Sequence, residues 1–169
     1  MFFVSRFDAH LNKKIECLLV VREGDFVGVL TLNEEQEAPG GMEDKGDARP
    51  TVLVVEDFED NRFMMRRLLE MSGYRVVEAV NGNQAVEKAA GESPDIILMD
   101  LSLPQLDGLA ATRRIRSREG ARKVPIVAVS AHDSADFHAE ALAAGCNEYV
   151  TKPIDFDQLV DLLDRLTAK

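Results

Sequence analysis

The chain has 169 residues and a formal net charge of −10, with 46% hydrophobic and 30% charged residues. That balance belongs to a folded globular protein with room for one ordinary domain plus an appendage. It excludes a spanning helix, because no apolar run is long enough, and a basic nucleic-acid surface, because residues 1–49 hold 6 Lys/Arg against 10 Asp/Glu and the remainder is also acidic.

In chain order, Met1 to Arg6 lacks the long apolar core of a secretory signal, and Cys17 and Cys146 form neither a disulfide framework nor a metal motif. A reducing cytoplasm is therefore the default compartment. Ile15 to Val21 and Phe26 to Leu32 are β-prone runs separated by Arg22-Glu23-Gly24-Asp25, a pattern that predicts a hairpin. From Asn33 to Arg49 the composition turns acidic and glycine-rich around Pro39-Gly40-Gly41, as in a flexible linker. Met42 offers a second start for translation. We expect residues 1–49 to be an extension and residues 50–169 the main domain.

Val52-Leu53-Val54-Val55 is an unbroken apolar run that stops on Glu56 and Asp57. Asp60-Asn61 predicts a cap for a helix over about Arg62 to Met71, with Met64, Leu68 and Met71 at helical spacing and joined by Met65 and Leu69. Ser72-Gly73 ends it, and Tyr74 to Val80 reads as the next strand. Asn81-Gly82 makes a turn before a short helix over Asn83 to Ala90, with Ala85, Val86 and Ala89 inward. Ile96 to Met99 is again wholly apolar, which suits a strand buried on both faces, and it stops on Asp100. Pro104 and Asp107-Gly108 mark a loop before a helix over Gly108 to Ser117 that buries Leu109 and Ile115. Arg113, Arg114, Arg116 and Arg118 read as a solvated basic face. Pro125 to Val129 is the fourth apolar run, ending on Ser130-Ala131. Asp133 is the expected cap of a helix reaching Ala144. Glu148 to Thr151 is a short fifth strand followed by Lys152-Pro153, and Asp155 caps a last helix with Phe156, Leu159, Leu162, Leu163 and Leu166 inward. Five strands alternating with five helices predict an α/β fold around a parallel sheet with right-handed crossovers.

In such a sheet the carboxyl ends of the strands share one edge, where open α/β folds bind ligands. The first strand brings Glu56 and Asp57 to that edge, the third Asp100, the fourth Ser130, and Lys152 follows the fifth. Singly, each has a plain structural reading: acids cap helices, serines end strands and lysines face water. Together they are harder to dismiss. Three converging carboxylates repel unless a cation joins them, and oxygen-only donors favour Mg²⁺ over zinc. An ammonium and a hydroxyl beside them suit the oxygens of a phosphoryl group, with Asp100 as the natural nucleophile.

The words Val52 to Asp57, Ile97 to Gly108, Ile126 to Ala131 and Glu148 to Pro153 stand in the order and spacing of response regulator receiver domains. Residues 51 to about 168 thus resemble that CheY-like family of two-component signalling proteins. The resemblance implies a (βα)5, doubly wound, flavodoxin-like fold. It implies that Asp100 accepts phosphate from a sensor histidine kinase or a histidine phosphotransfer protein, in a signalling switch rather than an enzyme. It further implies that Asp57 binds Mg²⁺ directly, that Glu56 holds it through water, and that the Ser102 backbone carbonyl completes the protein ligands. Lys152 would bind phosphate, and Ser130 with Tyr149 would form the switch pair. The positions of Ser102 and His132 are among those that tune dephosphorylation in the family. Ser130 stands where threonine is commoner and Leu103 where methionine is frequent, and both exchanges are mild. With no output domain after the fifth helix, a stand-alone receiver is expected to signal through a protein partner or to act as a phosphate relay or sink. It would use the face of the fourth helix, fifth strand and fifth helix, which also serves homodimers in the family.

Two other classes compete. A haloacid-dehalogenase-type phosphatase needs a second Asp two residues after the nucleophile, where this chain has Ser102. A nucleotide- or flavin-binding module needs a glycine-rich phosphate loop, and none follows the first strand. The stretch Leu19 to Leu32 resembles the closing strands of a CBS motif over too short a span to carry a function.

Overall fold

The computed structural model describes the backbone of residues 2–8, 13–22 and 25–31, and residues 49–118 and 123–168 in full. Its contacts divide the chain into Met1–Ala48 and Arg49–Lys169.

In the first unit, β1 (Phe2–Asp8), β2 (Lys13–Arg22) and β3 (Asp25–Thr31) form an antiparallel sheet in the order β1-β2-β3. β2 and β3 fall on the two runs expected to form a hairpin, and their pairing closes at Arg22 opposite Asp25. The sequence reading has no counterpart of β1, which pairs from Phe2 opposite Leu19 to Asp8 opposite Lys13. Ser5-Arg6 interrupts its apolar pattern, which hides the strand in the sequence. A third strand gives the sheet what an isolated hairpin lacks. Of the expected linker over Asn33 to Arg49, residues 33–48 lie outside the described residues.

The second unit runs β4 (Thr51–Val55), α1 (Glu59–Met71), β5 (Arg75–Ala79), α2 (Gly82–Gly91), β6 (Ile96–Asp100), α3 (Gly108–Ser117), β7 (Ile126–Ser130), α4 (Ala135–Ala144), β8 (Glu148–Thr151) and α5 (Phe156–Thr167). All its strand pairs are parallel, in the order β5-β4-β6-β7-β8. The expected five-stranded (βα)5 architecture is therefore present. Having moved from β4 out to β5, the chain returns to the other side of β4 to lay down β6. The order thus reverses between β4 and β6, and a crevice opens at their carboxyl ends.

The pleat sorts the core into two layers. Leu53, Val55, Ile97, Met99, Ile126 and Ala128 pack with Ala85, Val86, Ala89, Ala111, Ile115 and Ala141 of α2, α3 and α4. Val52, Val54, Ile96, Leu98 and Val127 pack with Met65, Leu69, Leu159 and Leu163 of α1 and α5. Leu53, Ile97 and Met99 are fully buried, and such a side chain contributes about 1.5–3 kcal/mol over its exposed state. The same alternation puts Asp100 on the α1 and α5 side of the sheet and Ser130 on the other.

Several local expectations shift. α1 begins at Glu59 after Phe58, which makes no side-chain cap, while Glu59 and Asp60 complement the helix dipole from its first turn. Its buried residues are Met65 and Leu69, with Met64, Leu68 and Met71 only half-buried. Two i,i+4 pairs lie one residue apart in this sequence, and only packing against the sheet chooses between them. α4 is capped by Ser134 rather than Asp133, which instead accepts a hydrogen bond from Thr151 Oγ1 at 3.3 Å. Arg116 is not part of a solvated face. Its guanidinium donates to Gly145 O, Val124 O and Asn147 Oδ1, each at 2.8 Å, and burial lowers its pKa.

Candidate functional site

β4 delivers the first acids. The backbone N–H of Glu56 still donates to Ala79 O at 3.1 Å, extending the β4–β5 ladder one residue past the strand. Glu56 is 9% exposed, and its side chain accepts from Phe58 N at 3.2 Å and Asn61 Nδ2 at 3.5 Å. Asp57 is exposed at the mouth of the crevice. Arg62, one turn into α1, donates to the carbonyls of Glu56 (3.1 Å) and Asp57 (3.3 Å) and fixes the bend between strand and helix. The sequence reading used Arg62 only to open a helix. Its spacing of five and six residues from the acidic pair is the signal that could have marked it.

Asp100 closes β6 and is 4% exposed. The loop after it is held on both sides: Leu101 N donates to Val129 O (3.1 Å), Gly108 N returns to Leu101 O (3.2 Å), and Leu103 and Leu106 are buried. Asp107 caps α3 by accepting from Ala110 N at 2.8 Å. Within this loop Gln105 takes a left-handed φ of 67°, an uncommon conformation for a residue other than glycine. The loop aims the Ser102 backbone N–H at Asp100 Oδ1, 2.7 Å away, while the Ser102 side chain is exposed.

Lys152 crosses the crevice from the end of β8. Its Nζ lies 2.6 Å from Asp100 Oδ2 and 2.9 Å from Glu56 Oε2, so one ammonium bridges two largely buried carboxylates. Burial pushes the Glu56 carboxyl up, the hydrogen bond and charge of Lys152 restrain that rise, and the Asp100 charge adds to it. For Lys152, burial pulls its pKa down, but the hydrogen bonds and charges of Asp100 and then Glu56 outweigh it and hold the ammonium above its ordinary range. Carboxylate oxygens of Glu56, Asp57 and Asp100 all lie within 4.8 Å of one another. An oxygen-only set of this spacing fits a hard divalent cation such as Mg²⁺.

Ser130 ends β7, beside β6, and Tyr149 lies in β8. Ser130 is 1% exposed, and its hydroxyl accepts from His132 N at 3.1 Å. The half-buried Tyr149 donates its hydroxyl to His132 O at 2.7 Å. Both hydrogen bonds therefore run to His132 rather than to the carboxylates. The link back to the crevice is the main chain, where Lys152 N donates to Ser130 O at 2.7 Å.

The sequence profile of the response regulator receiver domain matches residues 52–164. The chain belongs to this family. Among its relatives, the polar-differentiation response regulator DivK of Brucella anthropi is 34% identical over 113 residues, covering 67% of this chain and 92% of that protein. DivK of Brucella ovis shows the same identity and coverage. Among solved structures, the receiver domain of sensor histidine kinase PA1611 from Pseudomonas aeruginosa PAO1 is 39% identical with a TM-score of 0.68, covering 72% of this chain and all of that one. That structure holds a magnesium ion in its active-site cleft. Chemotaxis protein CheY4 of Vibrio cholerae is 28% identical with a TM-score of 0.67, covering 70% of this chain and 99% of that one. The receiver domain is a phosphorylation-controlled signalling switch of two-component systems, not an enzyme of the classical kind. Among the described residues, no helix is long and apolar enough to cross a membrane.

Proposed function

We propose that this receiver is switched by phosphorylation of Asp100, with the phosphoryl group taken from the phosphohistidine of a sensor histidine kinase or a histidine phosphotransfer protein. The observation that carries the reading is the single ammonium of Lys152 bridging Asp100 and Glu56, beside a third carboxylate, Asp57, at the strand-order reversal. Asp100 Oδ attacks phosphorus, the P–N bond to the donor imidazole breaks, and that nitrogen keeps the electron pair and takes up a proton. Lys152 passes from Asp100 Oδ2 to a phosphoryl oxygen as the new O–P bond forms, so no unpaired charge is left in the crevice. Later attack by water on phosphorus releases inorganic phosphate and restores the carboxylate. The donor oxygens suit Mg²⁺ held by Glu56, Asp57, Asp100 and the backbone carbonyl of Ser102. When bound, it supplies positive charge against the phosphoryl oxygens.

Ser130 and Tyr149 act as the switch pair. The Ser130 hydroxyl leaves the His132 N–H to reach the phosphoryl group, and Tyr149 moves with the loop to which it is bonded. The face of α4, β8 and α5 carries the output to a protein partner or to a second copy of the chain, in the cytoplasm. With its acidic balance, direct nucleic-acid binding is not part of this reading.

Incubation with acetyl phosphate tests it. Phosphoryl incorporation is expected with Mg²⁺, to be lost when the ion is chelated, and to be absent from Asp100→Asn. Incorporation into that variant at the wild-type level would overturn the assignment.

A further inference from the structure

Beside the carboxylate crevice, the carboxyl ends of β7 and β8 carry a second assembly built from imidazole and phenol rings. Tyr149, with its hydroxyl on His132 O, lays its ring against His138 of α4, with centroids 3.9 Å apart and planes inclined by 30°. The Nε2 atom of His138 is shielded from solvent, and Asp133 Oδ1 lies 3.3 Å away without forming a hydrogen bond. Asp133 is itself held by Thr151 Oγ1 at the end of β8. Among the other charges near α4, Arg113 of α3 reaches Glu140 at 4.0 Å, Glu148 of β8 meets Arg165 of α5 at 3.5 Å, and Asp136 lies in the helix's own first turn. The imidazole of His132 turns the other way, stacking on Phe137 at 4.4 Å and lying 3.5 Å from Ser130 Oγ.

A solvent-shielded ring nitrogen beside a carboxylate is one proton short of an ion pair. Adding that proton pairs His138 with Asp133 and places a cation against the face of a phenol ring. We propose that His138 is a positioning residue for the Ser130–Tyr149 switch: it holds the Tyr149 ring where its hydroxyl reaches the His132 carbonyl, and holds it more firmly when protonated. The inference rests on the switch role proposed above. It makes the position of Tyr149 depend on whether the His138 ring carries a charge.

The chain contains two tyrosines and no tryptophan, so NMR of ring-labelled tyrosine in the full chain reads Tyr149 against Tyr74. Tyr74 is 2% exposed and reports whether each variant is folded. Between about pH 5.5 and about pH 8, the occupancy of the His132-bonded position is expected to change roughly two- to fivefold, higher at the acid end. His138→Gln is expected to flatten that profile, and His132→Gln to keep it. Tyr149 signals that ignore pH in the wild type, or titrate equally in His138→Gln, overturn the proposal. Beryllofluoride with Mg²⁺ separates the two layers of argument. Signals that move on its addition but are blind to His138 overturn this inference alone, whereas signals that do not move overturn the switch reading beneath it.

Discussion

At Gly108 a β-carbon would stand 2.2 Å from the Asp100 carbonyl oxygen and 2.8 Å from Leu101 Cα, both backbone atoms that cannot turn aside. The first turn of α3 is thus pressed against the peptide that carries the proposed acceptor. Gly108→Ala is expected to cost about 1–3 kcal/mol, read by urea denaturation, because the loop from Asp100 to Asp107 must move outward. Acetyl phosphate labelling should slow with it, and a variant as stable as the wild type would contradict this account. The sequence shows Gly108 only as loop punctuation, since a close approach between two backbones depends on where the helix lands. Lys152, Asp100 and Glu56 were legible for the opposite reason. Each stands at the carboxyl end of a strand of the parallel sheet, so topology alone brings them to one edge. The His132 bonds of Ser130 and Tyr149 and the Tyr149–His138 stack depend on rotamers, which no spacing rule supplies.

Between elements, Tyr74 joins the start of β5 to α5 by donating its hydroxyl to Asp164. Burial, then the hydrogen bond and charge of Asp164, push the phenol well above its ordinary 10.0. A group whose folded pKa is raised stabilises fully below its unfolded value. That contribution is lost as pH rises above 10.0, where the unfolded chain ionises and the folded one resists. Tyr74→Phe is therefore expected to lose about 1 kcal/mol at neutral pH and to show a shallower decline in stability above pH 10.0. Denaturation midpoints across that range check it, and an unchanged alkaline slope would contradict it. Arg116 makes the matching point about α3. A run of arginines looks like a solvated face in sequence, yet one of them donates to acceptors in the turns that precede β7 and β8. Periodicity could not single it out, because those turns are distant in the chain. The bounds of α3 and β8, by contrast, agree with the sequence reading, because glycine, aspartate and proline punctuate them sharply.

Across the whole molecule, the fold was legible because β4, β6 and β7 each carry a run of four apolar residues buried on both faces, a composition that a parallel sheet covered by helices demands. β5, at the edge, has a mixed sequence and is protected by side chains: Lys88 Nζ donates to Glu78 O, and Gln84 Oε1 accepts from Val80 N. Among the described residues, β1 was the one strand that composition concealed. The functional reading rests on the same architecture, since three apolar strands stop on polar groups at one end of the sheet and Lys152 joins them from β8. Borohydride reduction of the phosphorylated protein, followed by peptide mapping, tests that claim most directly, because hydride converts an aspartyl phosphate to homoserine where it forms. The account predicts homoserine at position 100 alone, dependent on Mg²⁺ during phosphorylation. Homoserine at Asp57 or another aspartate, a reduced glutamate at Glu56, or phosphate that resists reduction, would contradict it.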